Sequence, residues 1–436
     1  MQAIDTLSAA MDRRTLMRMG AAAGLGAAFM PRLAFALQQP DLMANIREVV
    51  ERWVGPGKFP GMIASLGLRG RETQYVARGS EGFTDQDEIT PDSLFRIYSM
   101  TKPVTGMATM MLIDDGKLGL DQPLAEIIPA YADMQVQVTP DGSVTDLRPA
   151  SRPITIRHLI THTSGLGYSI IQQGPIKAMM EDRGLIAGQV TKLNVPSLMR
   201  GQPVRSLQKF AEGMAGVPLV YDPGTKWSYG TGLDVMGRVV EVVSGQPFDV
   251  WLKENIFGPA GMESTFFQVP RDQASRLTTN YAVVAERLVP IDTGADSIYL
   301  DEPAFPFGGA GLVSSARDYD RFLQVLANYG TIDGTRVMGE LAVRVGTSNL
   351  LPDGLTASMM GQPEAHFGAG GRVGMGTEAG VYGWAGAAGT VAMVDMIHGL
   401  RSQIMVQFMP PNALPLLPEW QKALRADIMA LMERAA

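Results

Sequence analysis

Near its start the chain switches between helical and strand rhythms. Apolar residues at three- and four-residue spacing over Asp41–Trp53 predict a helix. Two apolar runs, Gly61–Gly70 and Glu72–Arg78, meet at Arg69-Gly70-Arg71 and predict a β-hairpin. After a short apolar approach at Phe95-Arg96-Ile97-Tyr98 comes Ser99-Met100-Thr101-Lys102-Pro103, followed by Val104, Met107, Ala108, Met111 and Leu112 at helical spacing. Few polar residues interrupt that helix before it ends near Gly116, so it should be buried on most of its faces. Pro103 has no N–H to donate and belongs in the first turn, which puts Ser99 at the mouth of the helix. From Pro123 to Pro290 the pattern is one of helices and long loops rich in Pro and Gly. The last third returns to strands, Tyr382–Ala385, Thr390–Ile397 and Ser402–Met409, and closes with a helix from about Pro418 to Arg434. Strands at both ends with helices between them predict an α+β fold: an antiparallel sheet closed by the termini and flanked by helices, plus an inserted mostly helical lobe. The expected boundaries are 37–98 with 300–436 for the α/β lobe and 99–299 for the helical lobe. Ser99 then lies at the seam, where pockets commonly form.

The first 36 residues carry a different signal. Arg13-Arg14 is followed by a mildly apolar run, Gly20–Met30, too short to span a bilayer, and by the small-x-small cleavage pattern Ala34-Phe35-Ala36. This resembles a twin-arginine export signal, implying a periplasmic or secreted location. No other stretch is long and apolar enough to span a membrane. Composition narrows the chemistry. A net charge of −7 supplies no basic footprint for nucleic acid, and the absence of cysteine excludes disulfides, thiol catalysis and thiolate-held metals. Four histidines without a His-Glu-x-x-His pattern point to no metal, and no cofactor motif stands in a fitting context.

Serine is a poor nucleophile until a neighbouring base takes its proton, and lysine can be that base where burial favours its neutral form. A spacing of three stacks Ser99 and Lys102 on one helix face, with the helix-start N–H groups directed at any oxyanion above the serine. Ser206-Leu207-Gln208-Lys209 has the same spacing. There Ser206 reads as an N-cap for Leu207–Met214, whose Leu207, Phe210, Ala211 and Met214 form an amphipathic face, and Lys209 as solvated. Two further segments are candidates. Tyr229 lies in the turn-rich stretch Tyr221–Gly232 before a helix over Leu233–Ser244, where it either projects into a cleft or packs by its ring. The small residues of Gly383-Trp384-Ala385-Gly386-Ala387-Ala388-Gly389 either admit a substrate to a strand edge or serve a tight hairpin. Met179, Met180 and Met199 are candidates for an adaptable acyl pocket.

Taken in order, Ser99-Met100-Thr101-Lys102, Trp227-Ser228-Tyr229 and Gly383-Trp384-Ala385-Gly386 resemble the serine β-lactamase-related hydrolases. So do His158–Leu166, Asp222-Pro223-Gly224-Thr225 and Gly308–Ser315, and the resemblance runs from about Met62 to Met409. That family holds class C β-lactamases, D-alanyl-D-alanine carboxypeptidases and family VIII carboxylesterases, and its fold is β-lactamase/transpeptidase-like. The resemblance implies Ser99 as the acylated nucleophile, Lys102 and Tyr229 as the general base and acid, and the Ser99 and Ala387 N–H groups as the oxyanion hole. It implies that Trp384, Ala385 and Gly386 line the substrate, without cofactor. Two departures separate the subfamilies. The family's Tyr-x-Asn is Tyr229-Gly230-Thr231 here, and the lactamase Lys-Thr-Gly is Trp384-Ala385-Gly386, so the cation that meets a substrate carboxylate is absent. An uncharged ester, as in family VIII, is the substrate expected; a lactam or cell-wall peptide, or a noncatalytic wall-binding role, are the alternatives.

Overall fold

The computed structural model of the chain describes residues 41–193, 201–358 and 364–435. The export signal read at 1–36 and Met199 lie outside the described residues. In chain order the elements that matter here begin with α1 (Ala44–Trp53), β1 (Gly61–Leu68), β2 (Gln74–Gly79), β3 (Leu94–Arg96) and α2 (Thr101–Asp114). The middle contributes α3 (Ile156–Ile160), α4 (Leu207–Ala215), α5 (Gly232–Ser244), β4 (Asn280–Val284), β5 (Arg287–Asp292) and β6 (Val313–Ser315). The rest comprises α6 (Ala316–Ala327), α7 (Glu340–Gly346), β7 (His366–Phe367), β8 (Arg372–Val373), β9 (Val381–Ala385), β10 (Val391–Asp395), β11 (Leu400–Met405), β12 (Phe408–Met409) and α8 (Leu416–Ala435).

The main sheet runs β7-β8-β9-β10-β11-β1-β2 and is antiparallel throughout, so N- and C-terminal strands meet where β1 pairs with β11. Helices cover both faces because side chains alternate along each strand. Met62, Ala64 and Leu66 of β1 face a core shared with α1 and α8, while Ile63 joins the larger core on the other side with α6 and α2. Asp427 of α8 ties the two ends together by accepting the Asn45 and Ile46 N–H groups at the start of α1, each at 2.9 Å. On the opposite face, buried Arg401 of β11 pairs with Asp320 of α6 at 3.0 Å.

Two stretches depart from the sequence pattern. The strand expected over Ser402–Met409 breaks: β11 ends at Met405, and β12 leaves the sheet to pair in parallel with β4. Gln407 at the break bonds both backbone groups of Arg96, taking its N–H at 3.1 Å and donating to its carbonyl at 3.2 Å. The region read as helices and loops also contains the β4–β5 hairpin. Its turn is Ala285-Glu286, with φ of +46° and +63°, so the glycine or asparagine that announces such a turn is absent.

Candidate active site

Ser99 stands on a single 3-10 turn, Tyr98–Met100, that joins β3 to α2. β3 is held by its pairing with β6 and by Arg96, whose buried guanidinium donates to Asp292 Oδ2 at 2.7 Å and to Ser297 Oγ at 3.0 Å. Tyr98, just before the serine, has a φ of +41°, a left-handed backbone that costs a non-glycine residue about 1–3 kcal/mol. The Asn280 amide donates to its phenol oxygen at 3.2 Å, and Tyr299 packs edge-on against its ring. The chain is thereby turned so that Ser99 stays half-exposed above a helix buried almost all round.

Three side chains converge at this point. The Tyr229 hydroxyl donates to Ser99 Oγ at 2.8 Å, and Lys102 Nζ reaches the same oxygen at 3.3 Å. Lys102 is fully buried, donates to the Gly309 carbonyl at 2.6 Å, and lies 4.5 Å from the centre of the Tyr229 ring. A hydroxyl within reach of both a phenol and an amine can lose its proton as it attacks, to whichever of the two is deprotonated.

Tyr229 is placed by its neighbours in sequence. The Ser228 N–H donates to the His162 carbonyl at 2.9 Å, and the Gly230 N–H donates to His162 Nδ1 at 3.2 Å, so one histidine brackets the tyrosine. Accepting at Nδ1 assigns the ring proton to Nε2. Burial, aided by the charge of Lys102, keeps the imidazole far below its usual protonation range, so it stays a neutral acceptor. Its ring packs tilted, 4.7 Å from that of Tyr229, and Trp227 and Phe367 both meet it edge-on. His158 is also structural. Its ring accepts the Thr155 N–H at 3.1 Å in a capping box that starts α3, and burial lowers it to about 4. Asp222, earlier in the same loop as Tyr229, pairs with Arg148 and accepts the Ser151 N–H at 2.9 Å; Arg148 lowers its carboxyl to about 2.

Strand β9 forms the other wall. Trp384 stacks on the Tyr229 ring at 6.0 Å and meets Phe367 edge-on, while Ala385 is exposed. The Gly386 N–H closes the β9–β10 turn onto the Thr390 carbonyl at 2.7 Å. A Cβ on Gly386 would lie 2.4 Å from the Ile97 carbonyl, so only glycine lets this strand end approach the serine turn. Ala387 follows, packed against the cluster that contains Tyr98, and among the described residues its N–H has no acceptor. The expected residues Ser99, Lys102, Tyr229, Trp384, Ala385, Gly386 and Ala387 thus gather around one seam. Met180 is buried in the large hydrophobic core and Met179 is half-buried against it. Gly309, within the family-like stretch Gly308–Ser315, belongs to the same neighbourhood, as do Asp234 and Phe367, which the sequence did not single out. Asp234 left a trace: a buried acid in the first turn of the helix, between apolar Leu233 and Val235.

The antiparallel sheet, flanked by helices and with a serine turn at the head of a buried helix, has the β-lactamase and transpeptidase-like arrangement. The chain belongs to the β-lactamase family, whose model matches residues 44–426. Protein Rv1367c of Mycobacterium tuberculosis is 32% identical over 391 residues, covering 84% of this chain and 89% of its own. Esterase EstB of Burkholderia gladioli is 29% identical over 402 residues, 86% of this chain and 92% of its own. Among solved structures, EstCE1, described as a hydrolase with promiscuous acyltransferase activity, superposes with a TM-score of 0.70 at 22% identity, covering 87% of this chain and 97% of EstCE1.

Proposed function

We propose that this protein is a serine hydrolase of carboxylic esters that works through an acyl-enzyme on Ser99. The observation that carries the reading is the meeting of Tyr229 Oη and Lys102 Nζ on one serine oxygen, at 2.8 and 3.3 Å. The ester carbonyl enters with its oxygen toward the Ser99 and Ala387 N–H groups. Ser99 Oγ attacks the carbonyl carbon as its proton passes to the Lys102/Tyr229 pair. The tetrahedral intermediate collapses, the alcohol leaves with a proton from the same pair, and water then releases the acid by the reverse relay. Similarity to Esterase EstB supports an ester as substrate. So does the wall of Trp384 and Ala385, which offers an aromatic face and a methyl where a lactamase presents a cation and a hydroxyl. Among the described residues no helix is long and apolar enough to cross a membrane.

The deciding experiment is mass spectrometry of the protein after exposure to p-nitrophenyl esters, a chromogenic cephalosporin and a D-Ala-D-Ala peptide. Acylation of Ser99, with esters turned over fastest, supports the reading. Faster turnover of the lactam or peptide would reassign the protein to the cell-wall branch, and failure of a fluorophosphonate probe to label any residue would leave a noncatalytic binding role. Export by the twin-arginine route is part of the proposal, supported by Arg13-Arg14 and Ala34-Phe35-Ala36. Replacing both arginines with lysine should retain the protein in the cytoplasm on cell fractionation.

A further inference from the structure

Asp234 is a carboxylate buried to 1% exposure in the first turn of α5, and the acyl-transfer scheme above leaves it without a task. Its Oδ1 accepts the Gly309 N–H at 2.9 Å, while the Gly309 carbonyl accepts Lys102 Nζ at 2.6 Å. One glycine therefore stands between a carboxylate and an amine. Thr105 Oγ1 donates to the Gly308 carbonyl at 2.6 Å and grips the same peptide group without charge. A Cβ on Gly309 would lie 2.5 Å from Asp234 Oδ2, so the absence of a side chain is what lets the carboxylate close on this backbone.

We propose that Asp234 is a positioning residue for Ser99 chemistry: its negative charge, acting through Gly309, holds the Lys102 amine against the serine. The proposal rests on the reading of Ser99 as nucleophile. In a desolvated site the positive charge that Lys102 gains as it takes up the serine proton needs a compensating negative one. Asp234 supplies it without touching Lys102, which leaves the amine free to face Ser99 and Tyr229. Burial pushes the Asp234 carboxyl up to about 6, against the opposing pull of Lys102 and the Gly309 N–H. The group is thus mainly ionised at neutral pH and loses its charge as pH falls through that value.

The surroundings leave the charge of Asp234 to this one partner. From α2 comes Lys102, and from the turn after α3 comes His162, which burial keeps neutral. On α5 itself Arg238 and Glu241 pair with each other at 3.0 Å. Lys209 and Glu212 of α4 and Asp249 beyond α5 are exposed.

The test is the rate of fluorophosphonate labelling at Ser99, measured from about pH 5 to about pH 8.5 for the wild type, Asp234→Asn and Thr105→Val. Asparagine keeps an acceptor for the Gly309 N–H and removes only the charge. The wild type should outpace Asp234→Asn by about tenfold or more near pH 8, and the ratio should close toward one below about pH 6, where the wild-type carboxyl is itself neutral. Thr105→Val should lower the rate by a factor that does not change with pH. A ratio of wild type to Asp234→Asn that is flat across the range, or equal to one throughout, overturns the proposal, as does a Thr105→Val ratio with the same inflection. Should Asp234→Asn fail to fold by circular dichroism, Asp234→Ser, which leaves room for a water, takes its place under the same criteria. Wild-type protein that is never labelled at Ser99 would instead defeat the functional reading on which the inference stands.

Discussion

The chain holds two serine-x-x-lysine tetrads with identical spacing, and they fold into different chemistry. Ser99 Oγ meets the Lys102 amine and the Tyr229 hydroxyl. Ser206 Oγ instead accepts the backbone N–H of Lys209 at 3.0 Å, as an N-cap, and the Lys209 side chain is exposed. Spacing puts serine and lysine on one face in both cases. What separates them is the surface each helix meets. Helix α2 packs against α5, α7 and β9, so the Lys102 side chain is fully buried, whereas α4 buries Leu207, Phe210, Ala211 and Met214 and leaves its other face outside. A tetrad acquires reactive potential from burial and from a third group brought in by tertiary structure.

The comparison breaks most visibly at the serines. Ser99→Ala should reduce p-nitrophenyl ester turnover by about 10⁴-fold or more and abolish fluorophosphonate labelling, while the circular dichroism spectrum is retained. Residual labelling in that variant would mean another residue is the nucleophile. Removing the third group comes next. Tyr229→Phe keeps the stacking on Trp384 and deletes the proton carrier, so turnover should fall by about 10²- to 10⁴-fold. A variant at near-normal rate would confine the tyrosine to packing.

A smaller effect sharpens how the third group is delivered. His162 holds the backbone on both sides of Tyr229, through its carbonyl and its Nδ1. His162→Leu deletes the ring acceptor and strands the buried Gly230 N–H, so kcat should fall by about ten- to a hundredfold as the tyrosine loosens. His162→Asn offers an amide oxygen near the place of Nδ1 and should recover most of that loss. If asparagine and leucine behave alike, the ring matters by volume and not by accepting a hydrogen bond.

How much of this was legible beforehand follows the range of the interactions involved. The buried character of α2, the cap at Ser206 and the hairpin β1–β2 depend on residues close in sequence, and periodicity exposes them. The meeting of residues 99, 102 and 229 came from resemblance to a family, because no local pattern joins a helix start to a loop well over a hundred residues away. The turn at Ala285-Glu286 lacked its usual residues, and the strand break at Gln407 answers to Arg96, far off in the chain. Asp234 stood in plain view as an acid among Leu233, Val235 and Met236, but first-turn acids are ordinary helix starters. Only the Gly309 backbone, supplied from another segment, distinguishes it.

The smallest effect belongs to the second tetrad and completes the contrast. Ser206→Ala removes the acceptor for the Lys209 N–H at the start of α4, and losing such a cap costs about 1 kcal/mol. Urea denaturation should therefore show a lower midpoint with an unchanged slope, while ester turnover per folded molecule stays at the wild-type value. Lys209→Ala should move neither quantity beyond about 0.5 kcal/mol or its equivalent in rate, because its side chain is solvated. A loss of turnover in either variant without a matching loss of folded protein would mean that α4 reaches the reaction centre, and the division between a reactive and an inert tetrad would then have to be redrawn around that helix.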